Sequence, residues 1–426
     1  MIHSLKIKNF LSFKDEVTFS FEATKDSHLE KSHVVEVAKG VRLSRLAVVY
    51  GANASGKSNL IKAFNFLSFF WNSIPSCKEE ETGIVPFMLS KETPLKPSFF
   101  KLIFFINSKK YIYTLEALET HVVLESVDYY HSKQPKTLFT RVQAGNKSSI
   151  IFHKSLKVSQ TAKEEIEIKC LPNMSVFAAF SQVNISITEI DQIIIWQKKQ
   201  LLQPIFPHTA LTAYAKKAIS SDVSKRKYVV EFLKHADFNI TDIDVETTKE
   251  SLDIDFIEKL KSDDTIPLKL QKKIIQEKGI SITKAYFSHS ITNSRNKLEE
   301  FRLPEELQSL GTLRTMGLSC VFNIAIERNA FAAVDEIESS LHPLLVEFVL
   351  EKYLKSSDSA QLLVTTHYDG LLEEDDLLRN DNIWFTNKKK DGSTELYSLS
   401  EFNGVNRISS LRKAYRFGKF GATPNI

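Results

Sequence analysis

Four short stretches of this 426-residue chain carry residue types at spacings that could do chemistry. The first is GANASGKS, which fits G-x-x-x-x-G-K-[ST] at each fixed position: Gly51, Gly56, Lys57 and Ser58. Glycines let the backbone curl until successive N–H groups point at phosphate oxygens, and a helix opening behind them adds its positive end. The main chain of Ala52, Asn53, Ala54 and Ser55, with Asn59 just beyond, completes the expected contact set. Lys57 is expected on the terminal phosphates of ATP, and the Ser58 hydroxyl on Mg²⁺. The second stretch, NAFAAVDEIE, is an apolar run ending in Asp335 and Glu336. It predicts two carboxylates at the carboxyl edge of a sheet, where open α/β folds bind ligands. Asp335 is expected to hold Mg²⁺, directly or through water, and Glu336 to polarise the attacking water as general base. Strands often end in solvated acids, so it is the phosphate loop that gives this pair its meaning. The third stretch, QLLVTTH, ends on His367 at the tip of the next strand, within reach of a γ-phosphate. A histidine alone is more often structural. The fourth is QSLGT, opening a long helix. Ser309 can cap that helix and Gly311 permits close backbone approach; with Thr312 they would form a second anion site facing a partner subunit.

These residues need a scaffold, and the flanking patterns describe one. Residues 1–22 alternate, with Leu5 and Ile7 before a Lys14-Asp15 turn and Val17, Phe19 and Phe21 after it, which reads as a β-hairpin. LAVVY, residues 46–50, reads as a buried strand feeding the glycine loop, and NLIKAFNFLSFF as a helix buried on most sides. Residues 99–131 supply further strands around the polar tip Asn107 to Lys110. Residues 132–290 alternate helical stretches (ITEIDQIIIWQKKQLL, KRKYVVEFLKHA) with polar connectors such as Gln143 to Ser149, without repeats or sustained heptads. From residue 302 a helix, a strand, a helix and a strand follow in turn, and such alternation implies a largely parallel sheet in three layers. The expected architecture is therefore α/β: residues 1–131 and 291–426 form one head around an inserted, mainly helical subdomain, 132–290.

Hydrophobic residues make up 42% and charged residues 25%, an ordinary globular composition. No apolar window is long enough for a transmembrane helix, and MIHSLKIKNFLSF does not read as a signal peptide. Three widely spaced cysteines (Cys77, Cys170, Cys320) exclude a disulfide framework and point to a reducing, cytoplasmic setting. With 56 basic against 52 acidic residues there is no global nucleic-acid signal. Two local basic clusters remain, Lys225-Arg226-Lys227 and the C-terminal Arg407, Arg412, Lys413, Arg416 and Lys419. The Glu373-Glu374-Asp375-Asp376 run reads as a solvated loop, and no nuclease constellation is visible.

In this order, the four elements resemble the ABC-type ATPase heads of the chromosome-maintenance and RecF-like group. They correspond to Walker A (Gly51 to Ser58), signature (Ser309, Gly311, Thr312), Walker B (Asp335, Glu336) and switch histidine (His367). Leu341-His342-Pro343 and the C-terminal YRFGKFGATP resemble a narrower group, the bacterial AAA-family ATPases of abortive-infection and other anti-phage systems, of AbiL or PARIS type. Gln308 stands where that group commonly has Glu, and Val85-Pro86-Phe87 is the candidate for its Q-loop. The resemblance implies an ABC-type P-loop head that binds and slowly hydrolyses MgATP. It also implies a head-to-tail dimer or higher oligomer around the nucleotide, and control of a separately encoded effector protein. A RecF-like ATPase that clamps DNA is the alternative, and no membrane partner is expected.

Overall fold

The computed structural model describes residues 1–130, 134–145, 147–235, 239–251, 279–356 and 359–423. The N-terminal alternation forms a hairpin: β1 (Ile2–Lys8) and β2 (Val17–Ser20) pair antiparallel, with Leu5 opposite Phe19 and both fully buried. A short helix, α1 (Glu30–His33), leads into the two-stranded ribbon β3 (Val34–Ala38) and β4 (Val41–Ser44). β5 (Leu46–Gly51) is buried along its whole length and feeds α2 (Lys57–Phe70). Next come β6 (Ser98–Ile106), β7 (Lys109–Ala117), β8 (Val122–Tyr130), β9 (Pro135–Ala144) and β10 (Lys147–Phe152). With β1 and β2 they form a seven-stranded sheet in the order β10-β9-β8-β7-β6-β1-β2. Asn107 and Ser108 turn the β6–β7 tip with positive φ, as a tight hairpin demands.

Helices α3 (Gln160–Lys169), α4 (Val176–Phe180) and α5 (Thr188–Gln200) follow. Beyond them are α6 (Leu211–Ser221), α7 (Val223–His235) and the three-stranded sheet β11 (Ile240–Ser251), β12 (Gly279–Thr292) and β13 (Leu298–Pro304). The chain continues through α8 (Leu310–Arg328), β14 (Phe331–Val334), α9 (Pro343–Ser356), β15 (Gln361–Thr365), β16 (Ile383–Lys388), β17 (Thr394–Ser398) and α10 (Leu411–Arg416). The second large sheet runs β14-β15-β5-β16-β17, parallel except for β17. β14, β15 and β5 are continuous apolar runs because a parallel sheet is covered on both faces. The chain is thus α/β, as expected, and the three motif strands stand side by side with their carboxyl ends at one edge.

The compact units are Met1–Thr209 with Ile324–Ile426, and Ala210–Asn323. Sequence reading set the insertion at 132–290 and made it mainly helical, and the structure divides the chain differently. β9 and β10 pair onto β8, so they belong to the large unit, and the Gln143 to Ser149 connector is a hairpin end. Helices α3 to α5 bury Ile166, Phe177, Ile190 and Trp196 in the same core as Leu60 and Phe104. Trp196 stacks on Phe104 with centroids 4.3 Å apart, a contact worth about 1 kcal/mol beyond area burial. The smaller unit packs α6 and α7 on its own three-stranded sheet around Ile219, Val229, Leu233, Ile243 and Phe287. β9 pairs with its chain neighbours β8 and β10, but PKTLFTRVQA has too weak an apolar alternation to announce a strand. The contact of Trp196 in α5 with Phe104 in β6 joins elements far apart in the chain, which local periodicity does not reveal.

Candidate active site

β5 delivers the glycine loop, and packing explains both of its fixed glycines. A Cβ at Gly51 would collide with Thr386 and Ser55, and one at Gly56 with Thr394. Gly56 also has φ +107°, and Ala54 turns the loop at φ 59°. Hydroxyl groups hold the loop from behind. Ser55 Oγ and Thr386 Oγ1 are 2.7 Å apart, and Thr394 Oγ1 donates to the Ser55 carbonyl at 2.8 Å. Ser12 Oγ meets Thr394 Oγ1 and the Asn59 amide, each at 2.7 Å. The Asn59 side chain is thus committed to this clamp. Ser12, Thr386 and Thr394 carry no local signal in the sequence, being isolated hydroxyl residues 47, 331 and 339 positions from their loop partners.

Helix α2 opens behind Gly56 with no side chain capping it, which leaves first-turn N–H groups for an anion. Lys57 is buried, and its Nζ donates to the carbonyls of Gly51 (2.9 Å) and Ala52 (3.1 Å). Desolvation lowers its pKa to about 8, against the opposing pull of Glu336, Asp335 and Glu338. The ammonium therefore lies within the field of three carboxylates.

Those carboxylates follow β14. Asp335 is buried and its Oδ1 accepts from Thr365 Oγ1 at 2.6 Å, while the same hydroxyl accepts from Glu336 N at 2.8 Å. Thr365, at the end of β15, thus sets both acids at once, and nothing in QLLVTTH distinguished it from Thr366. Glu336 adopts φ 48°, a left-handed conformation costing a non-glycine residue about 1–3 kcal/mol. Its carboxylate has no hydrogen-bond partner among the described residues. Glu338 is a third acid that sequence reading passed over. Its Oε1 accepts from His367 N at 2.6 Å, and its Oε2 is buried without a partner among the described residues. Burial first, then the charge of Lys57, lowers the pKa of His367, so its imidazole is neutral near pH 7. His367 lines an open cavity at the carboxyl edge with Gly51, Ala52, Asn53 and Arg416.

Among the described residues no group of three or more His, Cys, Asp or Glu side chains is arranged to hold a metal. Ser58 and Asp335 offer a hydroxyl and a carboxylate, oxygen donors that suit Mg²⁺, an ion commonly bound through few protein ligands plus phosphate and water. Ser309, Gly311 and Thr312 belong to the smaller unit. Ser309 Oγ accepts from Thr312 N at 3.0 Å, as expected of a capping serine, and the flanking Leu307 and Leu310 are 68% and 75% exposed. Val85 and Phe87 pack on the turn of the first hairpin, through Leu11 N to Val85 O (2.8 Å) and Phe87 N to Asn9 Oδ1 (3.1 Å). The basic clusters are partly neutralised: Arg226 pairs with Asp242 and Asp244, Lys225 with Asp222, and Arg412 and Arg416 with Asp369. No described helix is long and apolar enough to cross a membrane.

The sequence matches the family model described as "AAA domain, putative AbiEii toxin, Type IV TA system" over residues 46–149 and 203–373. That is more than half of the chain, and the chain belongs to this family. Among curated proteins none matches significantly. Solved structures that align with it include the SMC head domain from Thermotoga maritima, at 12% identity and TM-score 0.40, covering 93% of this chain and 98% of that one. An Smc head bound to the C-terminal winged-helix domain of ScpA aligns at 13% identity and TM-score 0.44, over 97% and 99%.

Proposed function

We propose, with membership of that AAA family as the premise, that this chain is an ATP-driven switch that hydrolyses MgATP. The carrying observation is that β5, β15 and β14 lie side by side and parallel, and end at one sheet edge in the glycine loop with Lys57, in His367 and in the Asp335–Glu336 pair. In this reading the loop amides and Lys57 bind the triphosphate, and Ser58 and Asp335 hold a divalent ion, which neutralises phosphate charge when bound. Glu336, its main chain held by Thr365 and its carboxylate uncommitted, takes a proton from the attacking water. Neutral His367 hydrogen-bonds at the terminal phosphate. Two copies pair head to tail around ATP, the Ser309–Gly311–Thr312 helix start of each completing the other's site; the exposed Leu307 and Leu310 support this contact.

The switch would act in the cytoplasm on a separately encoded effector in anti-phage defence, a role supported by the family's toxin–antitoxin description. The test is Glu336→Gln. It should lower turnover by about 10²- to 10⁴-fold, retain ATP and accumulate as the closed dimer in size-exclusion chromatography. Turnover equal to wild type would reject Glu336 as the base, and a pull-down that recovers no neighbouring-gene product would reject the effector role.

A further inference from the structure

His367 differs from the chain's structural histidines in what holds its ring. His33 is buried, with Nδ1 2.9 Å from Ser32 Oγ and Nε2 2.9 Å from the Leu377 carbonyl, so its imidazole is fixed directly. The His367 imidazole has no hydrogen-bond partner among the described residues. A ring without its own orienting bond takes its direction from the backbone that carries it. Glu338 holds that backbone at His367 N. On the far side, two residues on, stands Asp369.

Asp369 is gripped by two arginines from α10. Arg412 Nε donates to its Oδ1 at 3.1 Å, Arg416 Nη2 to the same oxygen at 3.2 Å, and Arg416 Nε to Oδ2. Arg416 thus forms a two-pronged fork, the geometry in which arginine–carboxylate pairs are most directional. The helix carrying these arginines is itself anchored. Ser410 caps it at Lys413 N, Tyr415 stacks on Phe385 of β16 with centroids 5.7 Å apart and lies 5.9 Å from Tyr50 of β5. Phe420 stacks on the same Phe385, and its carbonyl accepts from Tyr397 at 2.6 Å. β5 is the strand that delivers the phosphate loop, so α10 refers the histidine loop and the glycine loop to one base.

We propose that Arg412 and Arg416 are positioning residues for His367: through Asp369 they fix the loop that presents its imidazole to the cavity above Gly51–Asn53. This rests on the hydrolytic reading of the site. Both arginines are partly exposed, and such pairs contribute little to global stability. Their loss should therefore be felt in turnover and not in folding.

The experiment compares the full chain carrying Arg412→Gln and Arg416→Gln with the Lys/Lys pair, with Asp369→Asn, and with the combination of the Gln pair and Asp369→Asn. The Gln pair should lose roughly 10- to 100-fold in kcat, the range for a misplaced group. In Arg412→Gln alone, whose side chain does not line the cavity, affinity for a fluorescent ATP analogue should stay within about twofold while kcat falls. Lys/Lys, which restores the charges but not the fork, should recover only part of the rate. Asp369→Asn should reproduce the loss, and the combination should add nothing to it, as expected of residues acting through one contact. Should the Gln pair fail to fold, Asp369→Asn decides alone. Wild-type turnover in these variants, additive losses, or in Arg412→Gln a fall in affinity that matches the fall in rate, would overturn the positioning role. A wild-type chain that does not hydrolyse ATP would overturn the hydrolytic reading and this proposal with it.

Discussion

Two clusters of buried charge occupy the large unit, and they are built on opposite plans. In the seven-stranded sheet, Glu125 and Arg141 are fully buried with Nη1 and Oε2 3.6 Å apart. Glu125 accepts from Tyr113 (3.0 Å), Ser175 (2.5 Å) and Val176 N (2.9 Å). Arg141 donates to Met174 O, Ser148 Oγ, Leu171 O and Pro172 O. Burial raises the pKa of Glu125, and Arg141 works against that rise. This network directs its hydrogen bonds inward and ties β8 and β9 to the start of α4. At the glycine loop the carboxylate of Glu336 and one oxygen of Glu338 stay unpaired among the described residues, and Glu336 is held at positive φ. Burial of charge is common to both, and among the described residues Arg141 Nε stays unpaired as Glu338 Oε2 does; what separates scaffold from site is the carboxylate, bonded through both oxygens at Glu125 and uncommitted at Glu336.

That contrast can be broken by experiment. Glu125→Ala leaves Arg141 buried without its carboxylate and should cost about 3–5 kcal/mol in urea unfolding. The Glu125→Met/Arg141→Met pair should recover most of that loss, and ATP affinity of the folded protein should not change. Lys57→Ala should do the reverse. Nucleotide affinity, read by titration with a fluorescent ATP analogue, should fall by the equivalent of about 2–5 kcal/mol, with little change in unfolding midpoint, since Lys57 is already desolvated. The exposed Lys62 on the same helix is the control, and Lys62→Ala should bind normally. If Lys57→Ala unfolds the protein as Glu125→Ala does, the distinction fails. The smallest effect tests the clamp. Thr394→Val removes the bond to the Ser55 carbonyl and should weaken ATP affinity by about 1 kcal/mol, roughly fivefold; an unchanged affinity would show that the loop holds its shape unaided.

Much of the large unit was legible because its signals are contiguous. The β5–loop–α2 unit needs only an apolar run, glycines where the backbone must curl and a largely apolar helical stretch after them, and each lies within residues 46–70. The Asp335-Glu336 strand end and the His367 strand were readable for the same reason. The boundary at residue 131 differs for want of a strong local signal, since β9 pairs with β8, the strand that directly precedes it. PKTLFTRVQA is a modest strand by itself, and only its register with β8, where Val127 pairs with Phe139, assigns it to the sheet.

The chain's own order of residues determined that a glycine loop, an acid pair and a histidine would each end a strand, because steric freedom at glycine and the periodicity of buried elements are local properties; that the three strands stand side by side was decided by the tertiary structure. Folding in three dimensions decided which oxygens are committed and which stay uncommitted: Thr365 on Asp335 and Glu336, Glu338 on His367, and Thr394 on the carbonyl of Ser55. Those bonds join residues 29 to 339 positions apart, and hydrogen bonding depends on distance and angle, which no run of neighbouring residues can specify.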